Sequence, residues 1–208
     1  SCTTGNYNTA YGMQTLDGTT TQSANTAMGY SALNQNVADN NTAVGYNSLV
    51  VNTTGHSNVA LGVEALDANT TANYNTGLGF RTLSDNTTGA SNVAVGAGAL
   101  KTNTTASNNT AVGYDALFAN TTGANNTAVG HNSLDATTTG GLNTAVGSAS
   151  LGSNTTGVEN TAVGVSALTA NTTASYNTAV GRSALTTNTT GANNTAIGYD
   201  ALNANTTA

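Results

Sequence analysis

Apolar positions return at a fixed interval along this chain, and the interval fits neither a helix nor a plain alternating strand. Leu stands at 16, 33, 49, 66, 83, 100, 117, 134, 151, 168, 185 and 202. Gly stands at 12, 29, 45, 62, 79, 96, 113, 130, 147, 164, 181 and 198. The step is 17 residues, with one step of 16 between Gly29 and Gly45. Fixed self-similarity of this kind marks a stacked repeat architecture. With this Gly placed at slot 5 of the unit, the consensus is N-T-A-V-G-x-x-A-L-x-x-N-T-T-G-x-x, and twelve units fill the 208 residues. No linker or second domain interrupts them, so residues 1–208 read as a single tandem-repeat array. The array starts inside a partial unit and stops at Asn205-Thr206-Thr207-Ala208. Solenoids ordinarily carry polar caps, so the expectation is a segment or subunit of a longer fibre, uncapped at both ends.

A unit of 17 is too short for a helix pair, and its Gly, Asn and Thr content opposes helix. The T-A-V run suits a short strand and N-T-T-G suits a turn. One unit cannot bury its apolar side alone, but stacked units can, each strand pairing with the next at about 4.8 Å. The predicted fold class is therefore all-β, a parallel β-solenoid or β-roll of twelve 17-residue coils. Twelve coils would make a rod of about 55 Å.

Side chains in a strand alternate faces, so slots 2 and 4 share one face and slot 3 takes the other. Slot 2 accepts Val59 and Val93 in place of Thr, and slot 4 is aliphatic in nearly every unit. Slots 2, 4 and 9 are the expected interior columns. The competing arrangement turns slots 2 and 4 outward and leaves a thin core of Ala and Leu. The Asn at slot 1, present in every unit from Asn8 to Asn194, is expected to stack into an amide ladder. It also tolerates the left-handed backbone of a corner, as does the Gly at slot 5.

Slot 3 never exceeds a methyl group. It holds Ala43, Ala60, Gly77, Ala94, Ala111, Ala128, Ala145, Ala162, Ala179 and Ala196, among others. If slots 2 and 4 point inward, something approaches this column closely from outside, and a second copy of the chain is the simplest partner. A trimer or a fibre is then expected. The alternative is that the column packs inside a flattened coil.

Composition narrows the partners. Charged residues make up 6% of the chain, against about 25% in an ordinary soluble domain. The only cations are Arg81, Lys101 and Arg182, so nucleic-acid binding lacks its main electrostatic contribution. No stretch has the apolar length to insert across a bilayer. Cys2 is the only cysteine, which excludes an intrachain disulfide framework and leaves a buried thiol or an interchain crosslink.

The motif N-T-A-V-G-Y-x-A-L-x-x-N-T-T-G, as in Asn41-Thr42-Ala43-Val44-Gly45 and Asn194-Thr195-Ala196-Ile197-Gly198, resembles the head repeats of trimeric autotransporter adhesins (YadA-like), whose units carry an S-V-A-I-G core. It is more similar still to repeats in phage-type tail fibres. The resemblance covers the whole chain and differs in unit length. It implies a parallel β-roll, often trimeric, on an extracellular, cell-surface or virion surface.

Candidate chemistry is sparse. His56 and His131 fall in different slots several coils apart. Glu64, Asp115 and Asp200 share slot 7 but lie at least three coils apart, about 14 Å, too far for a carboxylate dyad. No phosphate loop, metal cluster or cofactor motif is present. Expected surface pairs are Glu64 with Arg81 and Arg182 with Tyr199. Slot 6 carries Tyr30, Tyr46, Phe80, Tyr114 and Tyr199, a broken aromatic stripe that suits carbohydrate or semi-exposed packing.

The N-x-[ST] pattern of N-glycan acceptors recurs in two columns. Slot 12 supplies Asn52, Asn69, Asn86, Asn103, Asn120, Asn154, Asn171, Asn188 and Asn205, and the slot before the next unit supplies Asn40, Asn108, Asn125 and Asn193. Facing outward, they would carry glycans along the array; otherwise N-T-T-G is a turn with its own Asn ladder. The leading functional expectation is a structural extracellular fibre or adhesin rod, including a viral tail-fibre segment for host attachment. An ice-binding solenoid is the alternative from another class, although slots 13 and 14 are adjacent and cannot present paired Thr on one face. A polysaccharide lyase or hydrolase on the same scaffold lacks its acid and base.

Overall fold

A computed structural model describes residues 4–207, and Cys2, with its expected thiol or crosslink, lies outside them. The chain is all-β and forms a parallel β-solenoid of one strand per repeat. It divides into two compact units, Ser1–Thr105 and Ala106–Ala208.

The first unit contains β1 (Thr9–Tyr11), β2 (Thr26–Met28), β3 (Thr42–Val44), β4 (Val59–Leu61), β5 (Thr76–Leu78) and β6 (Val93–Val95). Each pairs in parallel with the next, slot on slot, as in Thr42 against Val59 and Ala43 against Ala60. The second unit repeats the pattern with β7 (Thr110–Val112), β8 (Thr127–Val129), β9 (Thr144–Val146), β10 (Thr161–Val163), β11 (Thr178–Val180) and β12 (Thr195–Ile197).

The strand is turned the opposite way to the expected one. Its middle residue points inward: slot 3 is buried from Ala27 to Ala196, at 0% exposure in Ala43, Ala60 and Ala162. Slots 2 and 4 lie outside, half-buried to exposed. The interior consists of slot 3, the small residues of slot 8, the Leu of slot 9 and two columns of Asn. Its thinness is the physical reason for the orientation. With Leu66 and Thr82 already filling the space opposite slot 3, no side chain larger than a methyl fits there. A Cβ on Gly77 would lie 2.8 Å from Thr82 Oγ1 and 3.5 Å from Leu66 Cδ1.

Hydrogen bonds make up for the narrow apolar core. In the slot 1 ladder, each backbone N–H donates to the Oδ1 of the preceding coil's Asn, as Asn58 does to Asn41 and Asn143 to Asn126, both at 2.9 Å. The Nδ2 donates to the slot 15 carbonyl of its own coil, as Asn58 does to Ala72 at 2.8 Å. Slot 12 forms a second, direct amide ladder: Asn69 Nδ2 donates to Asn52 Oδ1 at 2.8 Å, and Asn171 Nδ2 to Asn154 Oδ1 at 2.9 Å. Both columns converge on one carbonyl, since Asn69 Nδ2 also reaches Ala72 O at 3.2 Å. The Nδ2 donors of both columns are thereby bonded, as buried polar groups must be, whereas the Oδ1 of Asn120 accepts no bond.

The corners are left-handed, but not at slot 1. Positive φ occurs at slots 5, 7, 9 and 17, for example Gly62 at 145°, Glu64 at 55°, Leu66 at 54° and Tyr74 at 60°. The slot 5 Gly, at the corner expected of it, is indispensable for a second reason. At φ +145°, Gly62 lies so close to the next coil that a Cβ would sit 2.2 Å from Gly79 O. The short step arises in the Thr-Thr pair. Asn36 Nδ2 donates to Ala38 O where Asn52 Nδ2 donates to Gly55 O, so Val37 alone spans the place of Thr53 and Thr54.

Candidate interaction surface

Because slot 3 points inward, the strand presents slots 2 and 4 to solvent, with slot 6 exposed just beyond the Gly corner. Slot 4 is apolar in every coil: Tyr11, Met28, Val44, Leu61, Leu78 and Val95 in the first unit, and Val112, Val129, Val146, Val163, Val180 and Ile197 in the second. Leu61 is 49% exposed and Ile197 73%. Within each unit, in-register pairing sets them in a column at coil spacing, beside the Thr column of slot 2. Single exposed apolar residues are ordinary, whereas a contiguous exposed column marks a contact surface.

Slot 6 adds aromatic rings to the same side of the corner. Tyr30 stacks on Tyr46 with ring centroids 5.5 Å apart and planes 14° apart. Tyr114 stacks on His131 at 5.5 Å and 13°. The Arg182 guanidinium lies over the Tyr199 ring at 5.7 Å, and Arg81 lies over Phe80 at 5.1 Å while its Nε donates to Glu64 Oε2 at 2.5 Å. That bond pushes Arg81 further toward its charged form. Both expected surface pairs are therefore formed. A second exposed column, at slot 17, includes Tyr74, Leu142 and Tyr176. Here Tyr74 meets His56 edge-on at 5.1 Å.

The residues expected to mediate self-association are placed elsewhere. Ala43, Ala60, Gly77, Ala94, Ala111, Ala128, Ala145, Ala162, Ala179 and Ala196 are all buried within the chain, so no second copy can reach them. The flattened-coil alternative describes them correctly. The size limit at slot 3 is set by the chain's own interior and not by a neighbour.

The sequons divide by column. Asn52, Asn69, Asn86, Asn103, Asn120, Asn154, Asn171 and Asn188 are fully buried, with Nδ2 donating to interior carbonyls, as Asn120 does to Gly123 at 3.0 Å. A glycan needs that same nitrogen and a path to solvent, so these eight are structural. Asn205 is half-buried and donates from Nδ2 to Asn188 Oδ1 at 3.3 Å. Asn40, Asn108, Asn125 and Asn193 are exposed at left-handed corners, with φ of 61–62°. Within the Thr-Thr pair, slot 13 spends its hydroxyl on the next coil, as Thr53 Oγ1 does on Thr70 O at 2.9 Å and Thr138 Oγ1 on Thr155 O at 3.2 Å. Slot 14 is exposed in every described coil that carries it, whereas the slot 13 Thr is exposed only at Thr20, Thr189 and Thr206.

Among the described residues, no three His, Cys, Asp or Glu gather into a group that could hold a metal ion, and no helix is long and apolar enough to cross a membrane. The feature that sequence reasoning missed is the outward face of slot 4 beside the slot 6 aromatic stripe. Its signal was the spread of side-chain size at slot 4, from Val to Tyr, which a close-packed interior would not tolerate. No family model, curated protein or solved structure matches the chain.

Proposed function

We propose that this chain is a structural element of a fibre at an extracellular, cell or virion surface, acting as a rod or adhesin shaft. In this reading it associates side by side with further copies through the outward strand face. The observation that carries the reading is slot 4, an apolar residue in every coil on an exposed, in-register sheet. A second copy has the same period along its axis and can match such a column coil for coil, which few other partners can do. Self-complementary patches of this kind generate closed symmetric oligomers. The resemblance to trimeric adhesin heads makes three the stoichiometry to test first. The scarcity of catalytic and metal-ligating groups fits a scaffold. Carbohydrate is the second partner class, either as covalent glycans at exposed corners or as a cell-surface receptor against the slot 6 rings; in a viral fibre that contact would serve host attachment.

The test is the mass in solution by light scattering, for the wild type and for a variant carrying Leu61→Lys and Val163→Lys. Both side chains lie outside the core, so the coil fold is retained by circular dichroism while association is lost. A monodisperse wild-type monomer at micromolar concentration overturns the proposal.

One observation favours a second reading. The strand face sets exposed Thr in register beside Val, a regular array of the kind that could order water, and this would make the chain an ice-binding solenoid. The slot 13 hydroxyls, already bound between coils, do not contribute to it. Thermal hysteresis in a freezing assay decides between the two readings.

A further inference from the structure

Slot 10 carries a recurrent bond that two of its residues cannot make in their ionised form. In three coils the slot 10 side chain donates to the slot 7 carbonyl twenty residues earlier, one coil back. Asn34 Nδ2 reaches Gln14 O at 3.0 Å, Thr169 Oγ1 reaches Ala149 O at 3.0 Å, and Thr186 Oγ1 reaches Ser166 O at 3.3 Å. Asp67 and Asp135 occupy the same slot, and the register sets them against the carbonyls of Asn47 and Asp115. A carboxylate has no hydrogen to donate. Asp67 Oδ1 is buried without a partner. An orphaned buried acceptor in this position is costly, and one proton would convert it into the kind of donor that Asn34, Thr169 and Thr186 provide in the same slot.

We propose that Asp67 and Asp135 are proton-operated latches between coils: each takes a proton from solvent on mild acidification and donates the resulting O–H to the slot 7 carbonyl of the coil before it. The protonation energetics point the same way. Burial pushes Asp67 up from 3.8 to about 6, its own backbone N–H opposes this, Glu64 and Asp85 add to it, and Arg81 opposes it. Burial also raises Asp135; the backbone N–H groups of Asp135 and Ala136 oppose the shift, Asp115 adds to it and His131 opposes it. The slot 7 and slot 10 neighbours on the other side are neutral: Asn47 and Val50 next to Asp67, and Ala149 and Gly152 next to Asp135.

The sign follows from linkage. A carboxyl whose folded pKa lies above its unfolded value binds more protons in the folded state between the two. For Asp67, the stabilisation is fully present below about 4 and is lost as pH rises through about 6. The coils around Asp67 therefore tighten as pH falls from 7 to 5, a property independent of whether the chain forms a fibre.

Thermal unfolding of the full chain at pH 7 and pH 5 tests this for the wild type and for Asp67→Asn with Asp135→Asn. Asn is the residue that already makes this bond at Asn34. The wild type is expected to gain about 2–4 °C in midpoint on acidification. The double variant should start higher at pH 7 and gain less. His56 is present in both proteins, so its contribution cancels in the difference; because His131 acts on Asp135, the comparison is repeated with Asp67→Asn alone. A Glu159→Gln control, which removes an exposed carboxylate that acts on neither Asp67 nor Asp135, should keep the wild-type slope. Hydrogen exchange over residues 44–70, corrected for the intrinsic rate, gives a local readout that should slow at pH 5 in the wild type only. Equal slopes for wild type and double variant, or a double variant less stable than wild type at pH 7, would overturn the proposal.

Discussion

Gly77 and Thr82 face one another across the interior of a single coil. A Cβ on Gly77 would lie 2.8 Å from Thr82 Oγ1, and that hydroxyl is held in place by donating to Gly79 O at 3.3 Å. Slot 3 is Ala in the other eleven units, and this exception belongs to a coil whose slot 8 is the larger Thr. The pair shows the interior conserving volume across the strand.

Gly77→Ala should therefore destabilise the chain by about 1–3 kcal/mol, the usual cost of overpacking. Thr82→Ala in the same chain restores the Ala and Ala combination of Ala60 and Ala65, and should recover most of that loss. The measurement is a double-mutant cycle from chemical denaturation. Additive effects of the two substitutions would mean that the residues do not compete for space.

Leu66 combines two demands that few residues meet. It is fully buried, yet its backbone stands at φ 54°, where an L-residue costs about 1–2 kcal/mol. The cost is offset by burial of the side chain, by the bond from Leu66 N to Thr82 O at 3.0 Å and by the bond that Leu66 O accepts from Asn69 N at 3.1 Å. β-Branched side chains tolerate this backbone region worst. Leu66→Ile should thus cost more than Leu66→Met, although a swap between Ile and Leu ordinarily costs under about 1.5 kcal/mol. Unfolding midpoints of the two variants check the order, and a smaller loss for Ile would refute the argument.

The same position explains what could be read from the chain and what could not. The 17-residue step, the parallel stack and the Asn ladder followed from Leu16 through Leu202 and from the constant Asn, because stacking forces identical residues into register. The facing of the strand did not follow. Alternation says only that Thr42 and Val44 share a face, and Val59 in place of Thr made that face look internal. Side-chain size was the better guide: slot 4 runs from Val44 to Tyr11, while slot 3 stays at Ala43 and Gly77. The slot 12 Asn stayed open between an outward sequon and a ladder, since N-T-T-G is a surface turn in most proteins. Here the turn closes around Asn69 and buries its amide. Nothing in Leu66 as a letter announced a left-handed backbone, although Leu to the exclusion of Ile and Val at slot 9 is consistent with it.

Thr137 interrupts the slot 12 ladder in the second unit. Its hydroxyl donates to Asn154 O at 3.0 Å, but a Thr has no amide to pass down to Asn120 Oδ1 or to receive Asn154 Nδ2. Thr137→Asn supplies both links and gives up one. A net hydrogen bond contributes about 0.5–1.5 kcal/mol, so the variant should unfold at higher temperature than the wild type by a few degrees. Thr137→Val, which can neither donate nor accept, should unfold below both. A lower midpoint for the Asn variant would show that the ladder does not tolerate a rung there.

The last prediction concerns modification. Asn120 and Asn125 both begin N-x-T sequons and lie five residues apart, but they differ in where the amide sits. Asn120 Nδ2 is inside the coil, bonded to Gly123 O at 3.0 Å, whereas Asn125 is exposed at a corner. Secreted from a glycosylating host, folded chain should carry sugars at Asn40, Asn108, Asn125 or Asn193, and none at Asn120 or its buried equivalents. Peptide mapping after enzymatic deglycosylation in heavy-oxygen water marks each occupied Asn by its mass. A sugar on Asn120 would have to pull the amide out of the ladder and leave Gly123 O without that donor in a dry interior. Such molecules should therefore appear only in the unfolded fraction, and their presence among folded material would contradict the placement of slot 12.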